Sequence, residues 1–185
     1  MASALDRNPT LAAAQLVGLS APVFLAGAQV GLSQLAIPPL LNTPQSYSTP
    51  AFAHIYRAGA RLAVPLSLVG LLSSSLAAYL SHGYPYTPYT TALVSQRTAW
   101  AAAALACAGV PIFTRLVMTS DIKPLLERAD GFASGARTTE KHVTPADDAK
   151  VQGWLRSWRR LNLVRAGIMA VAATFAGYAI VTQAF

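Results

Sequence analysis

Three side chains near the C-terminal end of the chain have the types and spacing expected of a buried polar site. Trp158, Asn162 and Arg165 lie at i, i+4 and i+7, so they share one face of a helix. Arg165 precedes an uncharged apolar run, residues 166–182. Because a guanidinium at that depth is costly in lipid, Arg165 must face protein, water or a ligand.

A second polar set opens another apolar segment. His54, Arg57 and Arg61 share a helix face at i, i+3 and i+7. Histidine is the side-chain type that most often acts as a general base, so His54 is a candidate for that role. Several arginines with few buried acids suit an anionic or enolisable ligand. Two alternatives stay open: arginines near span ends often reach lipid phosphates, and His54 could simply hydrogen-bond a neighbouring helix.

The composition is typical of a membrane protein. The chain has 185 residues, of which 54% are hydrophobic and 11% are charged, and its mean hydropathy is +0.41. A soluble domain carries roughly 25% charged residues. Ten of the basic residues lie between Arg115 and Arg165, around hydrophobic segments. Membrane topology therefore explains the net charge of +7, and we expect no nucleic-acid partner.

Hydrophobic segments predict an all-α fold, an integral membrane four-helix bundle forming a single domain over residues 1–185 in a lipid bilayer. Threonine N-caps followed by proline predict helix starts at Thr49-Pro50 and Thr144-Pro145, the second helix continuing into the last span. The spans are predicted at about 11–41, 51–81, 98–118 and 158–182, with one long hydrophilic loop, 119–150, between spans 3 and 4. Within this loop, Ile122–Arg128 could form a short interfacial helix, and the helix that leads into span 4 starts at Pro145.

Two features of the apolar segments indicate packing. Gly27 and Gly31 form a small-xxx-small pair, which favours close helix packing in lipid. Cys107 is the single cysteine and lies in an apolar run, so a disulfide framework is excluded and a packing role is expected.

The predicted topology gathers the polar residues at one side of the membrane. Loops 42–50 and 119–150 share a side, which the excess of Lys and Arg places in the cytosol. Polar groups confined to one half of a bundle indicate a pocket that opens to that face. The polar residues in that half are Gln29, Gln34, His54, Arg57, Arg61, Thr114, Arg115, Arg159, Asn162 and Arg165.

The sequence does not favour a metal or nucleotide cofactor. Its three histidines are His54, His82 and His142, and His82 falls on the opposite side of the membrane. The spans contain no carboxylate, so an iron site could only combine His54, His142 and a loop acid. No glycine-rich dinucleotide loop follows a strand.

Four stretches form a set of motifs distributed over most of the chain: Gly27–Pro39, His54–Gly59, Pro111–Met118 and Trp158–Arg165. Together they resemble the anthrone oxygenase family of small four-span membrane proteins. The most specific match is the last, where the opening of span 4 is similar to the family's tryptophan, asparagine and arginine signature. One departure is Thr119-Ser120-Asp121-Ile122, where the family usually has a proline-threonine-asparagine turn.

The resemblance implies oxidation of an anthrone-type polyketide to an anthraquinone by molecular oxygen, with no flavin or nicotinamide, in secondary-metabolite biosynthesis. Chemistry and position suggest the roles, which the resemblance does not supply. His54 is the expected base, Arg61 and Arg165 donate to the enolate oxygen, and Asn162 orients the peroxide or a substrate hydroxyl. The expected substrate-binding residues are Tyr56, Arg57, Thr114 and Trp158. On this scheme, His54→Ala or Arg165→Ala abolishes oxidation.

Two non-enzymatic alternatives remain from the sequence. A membrane scaffold or assembly factor for a biosynthetic pathway would dock an acidic partner on the basic loop 119–150. A transporter would need a homo-oligomer and polar groups in both halves of the bundle. An endoplasmic-reticulum or other intracellular membrane is the expected location, and a homo-oligomer is an open alternative for the enzyme as well.

Overall fold

The part of the protein that the computed structural model describes, residues 8–81, 94–135 and 144–184, is helical and contains no strand. This confirms the all-α prediction. Two π-helical turns and one 3-10 turn interrupt or extend the α-helices. The α-helices are α1 (Pro9–Gly31), α2 (Gln45–Leu80), α3 (Gln96–Phe113), α4 (Thr119–Ala133) and α5 (Pro145–Ala184). The π turns are Leu32–Ala36 and Thr114–Met118, and the 3-10 turn is Pro38–Asn42.

The described residues include four helical stretches that are long and apolar enough to cross a membrane. Large apolar side chains on them face outward; Leu35 is 77% exposed and Leu116 is 78% exposed. A soluble surface rarely carries such extensive apolar area, so the fold suits an integral, multi-pass membrane protein. The four stretches are Pro9–Asn42, Gln45–Leu80, Gln96–Ala133 and Pro145–Thr182.

The predicted hydrophilic loop 119–150 is wrong over residues 119–133, because these residues form α4, which continues directly from the π turn Thr114–Met118. The polar composition of this segment conceals a helical period, because Ile122, Leu125 and Ala129 are buried at i, i+3 and i+7. The start of α5 at Pro145 is as predicted.

The two predicted helix starts have different outcomes. Thr144 caps α5 as expected, because its hydroxyl accepts a hydrogen bond from the Asp147 N–H at 3.2 Å. The start at Thr49-Pro50 is wrong, since α2 begins four residues earlier at Gln45. There the Gln45 N–H donates to a carboxylate oxygen of Asp148, which caps the helix from elsewhere in the chain.

The chain divides into two compact units, each built from parts of the long helices. The first comprises, within the described residues, 8–27, 64–81, 94–111 and 166–184. Its core is alanine-rich and surrounds the fully buried Trp100. A Cβ at Gly18 would lie 2.9 Å from Trp100 Cζ3 and 3.2 Å from Ser74 Oγ, so Gly18 permits a close helix approach.

The predicted glycine pair does not mark such an approach among the described residues. A Cβ at Gly27 or Gly31 would meet nothing within 4 Å.

The second unit comprises residues 28–63, 112–135 and 144–165 of the described chain. Its core packs aromatic and aliphatic side chains from α2, α4, α5 and the turns. Arg128 joins three of its parts: Nη1 donates to Gln45 Oε1 at 2.6 Å, Nη2 donates to Asp147 Oδ1 at 3.2 Å, and the guanidinium lies 5.2 Å from the centre of the Trp154 ring.

Candidate functional site

A buried polar cluster lies in the second unit and is centred on Asn162 of α5. Asn162 is 1% exposed, and its Nδ2 donates to the Gln29 backbone carbonyl and to Ser33 Oγ, both at 2.9 Å. Both amide hydrogens are therefore used, and they join α5 to the C-terminal end of α1. We call Gln29, Ser33, Asn162 and Arg165 the polar node.

The π turn after α1 brings Ser33 into the polar node. Its wider winding is seen in the Ile37 N–H, which donates to the Leu32 carbonyl five residues earlier at 3.2 Å. Such turns occur mostly as single interruptions of α-helices and often at functional sites. Ser33 is fully buried in this turn and accepts one hydrogen bond from Asn162.

Arg165 supplies the charge of the polar node. Its Nη1 donates to Asn162 Oδ1 at 3.4 Å, and the residue is 9% exposed. No carboxylate pairs with it among the residues that the structure describes, and its buried Nε–H has no hydrogen-bond partner there. A buried cation without an anion is poised to bind a negatively charged oxygen.

Aromatic rings flank the polar node. Phe52 packs edge-on against Trp158, with ring centroids 5.2 Å apart, and it stacks on Tyr56 at 6.0 Å. Tyr56 also lies within electrostatic reach of Arg165. Trp158 is buried, and its Nε1–H is unpaired among the described residues. The surroundings therefore combine flat apolar surfaces with a cation, which suits an aromatic oxyanion.

The sequence profile of one family, described as anthrone oxygenase, matches residues 52–175, more than half of the chain. The chain belongs to the anthrone oxygenase family. No curated protein and no solved structure matches it. The matched segment of this anthrone oxygenase family member contains Tyr56, Trp158, Asn162 and Arg165, whereas Gln29 and Ser33 precede it.

The structure brings together four of the residues that the sequence singled out. Trp158, Asn162 and Arg165 are all buried on one face of α5, and Tyr56 lies near Arg165. Asn162 uses both amide hydrogens within the protein, so its role in the geometry is to hold Arg165 and the end of α1.

The basic residues on α2 do not belong to the buried polar node. His54, Arg57 and Arg61 share a face as expected, but that face is exposed. At about 100° per residue, His54 and Arg61 are about 160–180° around the helix from Phe52. Arg57 is paired with Asp130 at 2.6 Å, with both side chains at least half exposed.

The other predicted positions are more peripheral or lie outside the described residues. Thr114 is half-buried at the first residue of the second π turn. Arg159 donates through Nη2 to Gln34 Oε1 at 2.6 Å. His82 and His142 lie outside the described residues, and the described residues contain no group of three or more possible metal ligands of the His, Cys, Asp and Glu types.

Sequence reasoning placed Gln29 in the polar half of the bundle but did not select it or Ser33 as site residues. The signal that could have found them is an amide and a hydroxyl four residues apart within an apolar span. Phe52 was also missed, because an isolated aromatic residue at the start of an apolar helix is most often an ordinary core residue.

Proposed function

We propose that this protein oxidises an anthrone-type aromatic ketone to an anthraquinone with molecular oxygen, in the membrane. Membership of the anthrone oxygenase family supports the reaction class. The observation that carries the proposal is Arg165, a buried guanidinium that no carboxylate pairs with among the described residues and that is held by Asn162 on the helix face that also carries the buried Trp158. This arrangement suits an oxygen that becomes negatively charged during the reaction.

The proposed reaction begins with transfer of a proton from the methylene carbon between the two rings to water. The resulting enolate passes one electron to O₂, and the radical pair combines to form a carbon–oxygen bond. A proton returns from water to the peroxide after the carbon–oxygen bond has formed. The product is a hydroperoxide, which loses water and leaves the quinone. Overall, the methylene is oxidised to a carbonyl, one oxygen atom of O₂ enters the product, and the other leaves as water.

In this scheme Arg165 stabilises the negative charge that develops on the ketone oxygen. Its unpaired Nε–H donates to the ketone oxygen, and the interaction strengthens as the enolate forms, which lowers the barrier to proton loss. Asn162 positions the guanidinium, and Tyr56 and Trp158 line the aromatic wall. Arg57 and Thr114 as binding residues and Arg61 as second donor stay predictions from the sequence. His54 as base in place of water also stays a prediction, and its exposed position argues against it.

The remaining parts of the proposal follow the family's chemistry. O₂ is the co-substrate, and no organic cofactor or metal is invoked. A small aromatic polyketide is the proposed substrate, and the bilayer is its route of entry because both are apolar. An endoplasmic-reticulum or other intracellular membrane is the proposed location, and a homo-oligomer is the proposed assembly.

The test is oxygen uptake by the purified, detergent-solubilised protein with anthrone, alongside quinone formation and the metal content of the same sample. A detergent blank gives the rate at which anthrone oxidises in air. We expect quinone formation well above that blank in protein that holds no stoichiometric metal. A rate equal to the blank in folded protein contradicts the reaction, and a rate that follows bound iron or copper contradicts the cofactor-free form.

A further inference from the structure

Gln29 of α1 buries a side-chain amide that is unpaired at both polar atoms. The residue is 3% exposed, and neither Oε1 nor Nε2 has a hydrogen-bond partner among the described residues. A buried polar group without a partner destabilises the folded protein, and an apolar residue of the same length would avoid that cost. The buried amide therefore points to a ligand that supplies both a donor and an acceptor.

The position of Gln29 places this amide beside the proposed reaction centre. Its backbone carbonyl accepts a hydrogen bond from Asn162 at 2.9 Å, and Asn162 in turn contacts Arg165. A second amide on the same segment, Gln34, is exposed and accepts a hydrogen bond from Arg159 at 2.6 Å. The two glutamines therefore differ in their side-chain amides: that of Gln29 is buried and unpaired, whereas that of Gln34 is exposed and hydrogen-bonded.

We propose that Gln29 is a substrate-recognition residue that binds two adjacent oxygen substituents of the aromatic substrate. Oε1 accepts a hydrogen bond from a phenolic hydroxyl, and Nε2 donates to the neighbouring oxygen. A side-chain amide is suited to this task because it presents a donor and an acceptor side by side. The inference rests on the proposed function and adds that Gln29 distinguishes hydroxylated substrates from unsubstituted ones.

Gln29 lies outside the part of the chain that matches the family, which supports a separate role in recognition. Tyr56, Asn162 and Arg165 fall within the segment that matches the anthrone oxygenase family, whereas Gln29 precedes it. The reacting oxygen is thus held by the matched segment, and the substituent pattern is read from α1. Sites built to hydrogen-bond a substrate hydroxyl discriminate strongly against analogues that lack it.

The test measures binding, so that it does not depend on turnover. Anthraquinone and 1,2-dihydroxyanthraquinone, which carries two neighbouring hydroxyls, do not undergo the proposed reaction. Their affinities for the full-length protein in lipid nanodiscs are measured by equilibrium dialysis, with empty nanodiscs as the blank for partition into lipid. We expect the wild type to bind the dihydroxy compound at least about tenfold more tightly, since its two hydroxyls add two hydrogen bonds to the otherwise unpaired amide of Gln29.

Gln29→Met keeps the length of the side chain and removes both polar atoms. We expect the preference for the dihydroxy compound to fall to less than about threefold, while the affinity for anthraquinone is unchanged. Gln34→Met is the matched control and should keep the wild-type preference. If Gln29→Met does not fold, Gln29→Asn replaces it; the variant keeps the amide but withdraws it by one methylene group, and it should also lose the preference.

Two results would overturn the inference: equal affinities of the wild type for the two quinones, or a preference that survives in the folded Gln29 variant. Neither bears on whether an anthrone is oxidised. A preference that depends on Gln29 in a protein that does not accelerate oxidation would contradict the proposed function and leave the recognition role in place.

Discussion

Arg165 Nη1 lies 3.4 Å from Asn162 Oδ1, in the interior of the second unit. The orientation of that amide is fixed by its other end, because Nδ2 already donates to Gln29 and Ser33. Asn162 must therefore turn its oxygen toward Arg165. One uncharged side chain thus fixes the end of α1 and directs a buried cation.

The neutrality of Asn162 is testable with Asn162→Asp. A carboxylate has the same shape, but it would pair with Arg165 and cancel the charge offered to an oxyanion. We expect the rate of anthrone oxidation to fall by about 100-fold. Oxygen uptake under saturating substrate measures this effect. Full activity in Asn162→Asp would mean that the Arg165 charge is not used in the reaction.

Replacing Arg165 by glutamine tests the cation itself. Loss of one donor to a developing oxyanion reduces turnover by about 10²–10³-fold. Thermal stability should not fall, since removing an unpaired buried charge relieves its desolvation. Arg160→Gln is the control, because Arg160 is exposed on the same helix. The assay compares quinone formation and thermal unfolding of both variants, and an equal loss of activity in the two would contradict a specific role for Arg165.

His54 is the sequence-derived candidate for the base, and its exposure leads to a definite expectation. A general base must reach the proton directly or through one water. His54 lies on the exposed face of α2, away from Phe52 and Tyr56. We expect His54→Gln to retain activity within about threefold, with a pH–rate profile that shows the same shape as the wild type between pH 5 and 8. A large loss of activity together with a change in the shape of the pH–rate profile would establish His54 as the base.

Arg128 should affect stability rather than chemistry. Arg128→Met leaves the buried Gln45 Oε1 without its donor and removes the contact with Asp147, which should destabilise the fold by about 1–3 kcal/mol. Lys123→Met is the control, because the Lys123–Glu127 pair is exposed and 3.9 Å long and contributes less than about 1 kcal/mol. Thermal unfolding in detergent distinguishes them, and equal unfolding temperatures would contradict the expected effect.

Two glycines on α1 should respond oppositely to the same substitution. In Gly18→Ala the added methyl group would approach the Trp100 ring at 2.9 Å, and such overpacking costs about 1–3 kcal/mol. In Gly27→Ala it would meet nothing within 4 Å, and alanine in a helix interior is favoured by about 0.5–1 kcal/mol. Thermal unfolding of the two variants should therefore shift in opposite directions; a shift in the same direction would contradict the close packing at Gly18.

Much of the helical fold could be predicted from the sequence, because apolar length and 3.6-residue periodicity are local properties. These properties predicted the four spans and the continuous helix from Pro145 through Trp158. The start of α2 could not be read locally, since its cap is Asp148, 103 residues away from Gln45. The helix at Thr119–Ala133 was hidden because its polar composition outweighed the buried period of Ile122 and Leu125.

The site was predictable in part for the same reason. Spacing alone placed Trp158, Asn162 and Arg165 on one face, and the cost of a charge in lipid indicated that Arg165 lies inward. Spacing also grouped His54 with Arg61, but it does not determine whether a shared face is turned inward or outward. Ser33 depends on a π turn, whose extra residue leaves no clear pattern in the sequence.

That π turn has a consequence for changes in chain length. Leu32–Ala36 accommodates one residue more per turn than an α-helix, so deleting one residue between Gln29 and Ser33 would allow the segment to close into regular α-helix. Each residue contributes about 100° of rotation, so Ser33 would turn away from Asn162 while Gln29 kept its place. Homologues that differ by a single insertion or deletion here would share the arginine and the asparagine but present a different inner surface of the first helix.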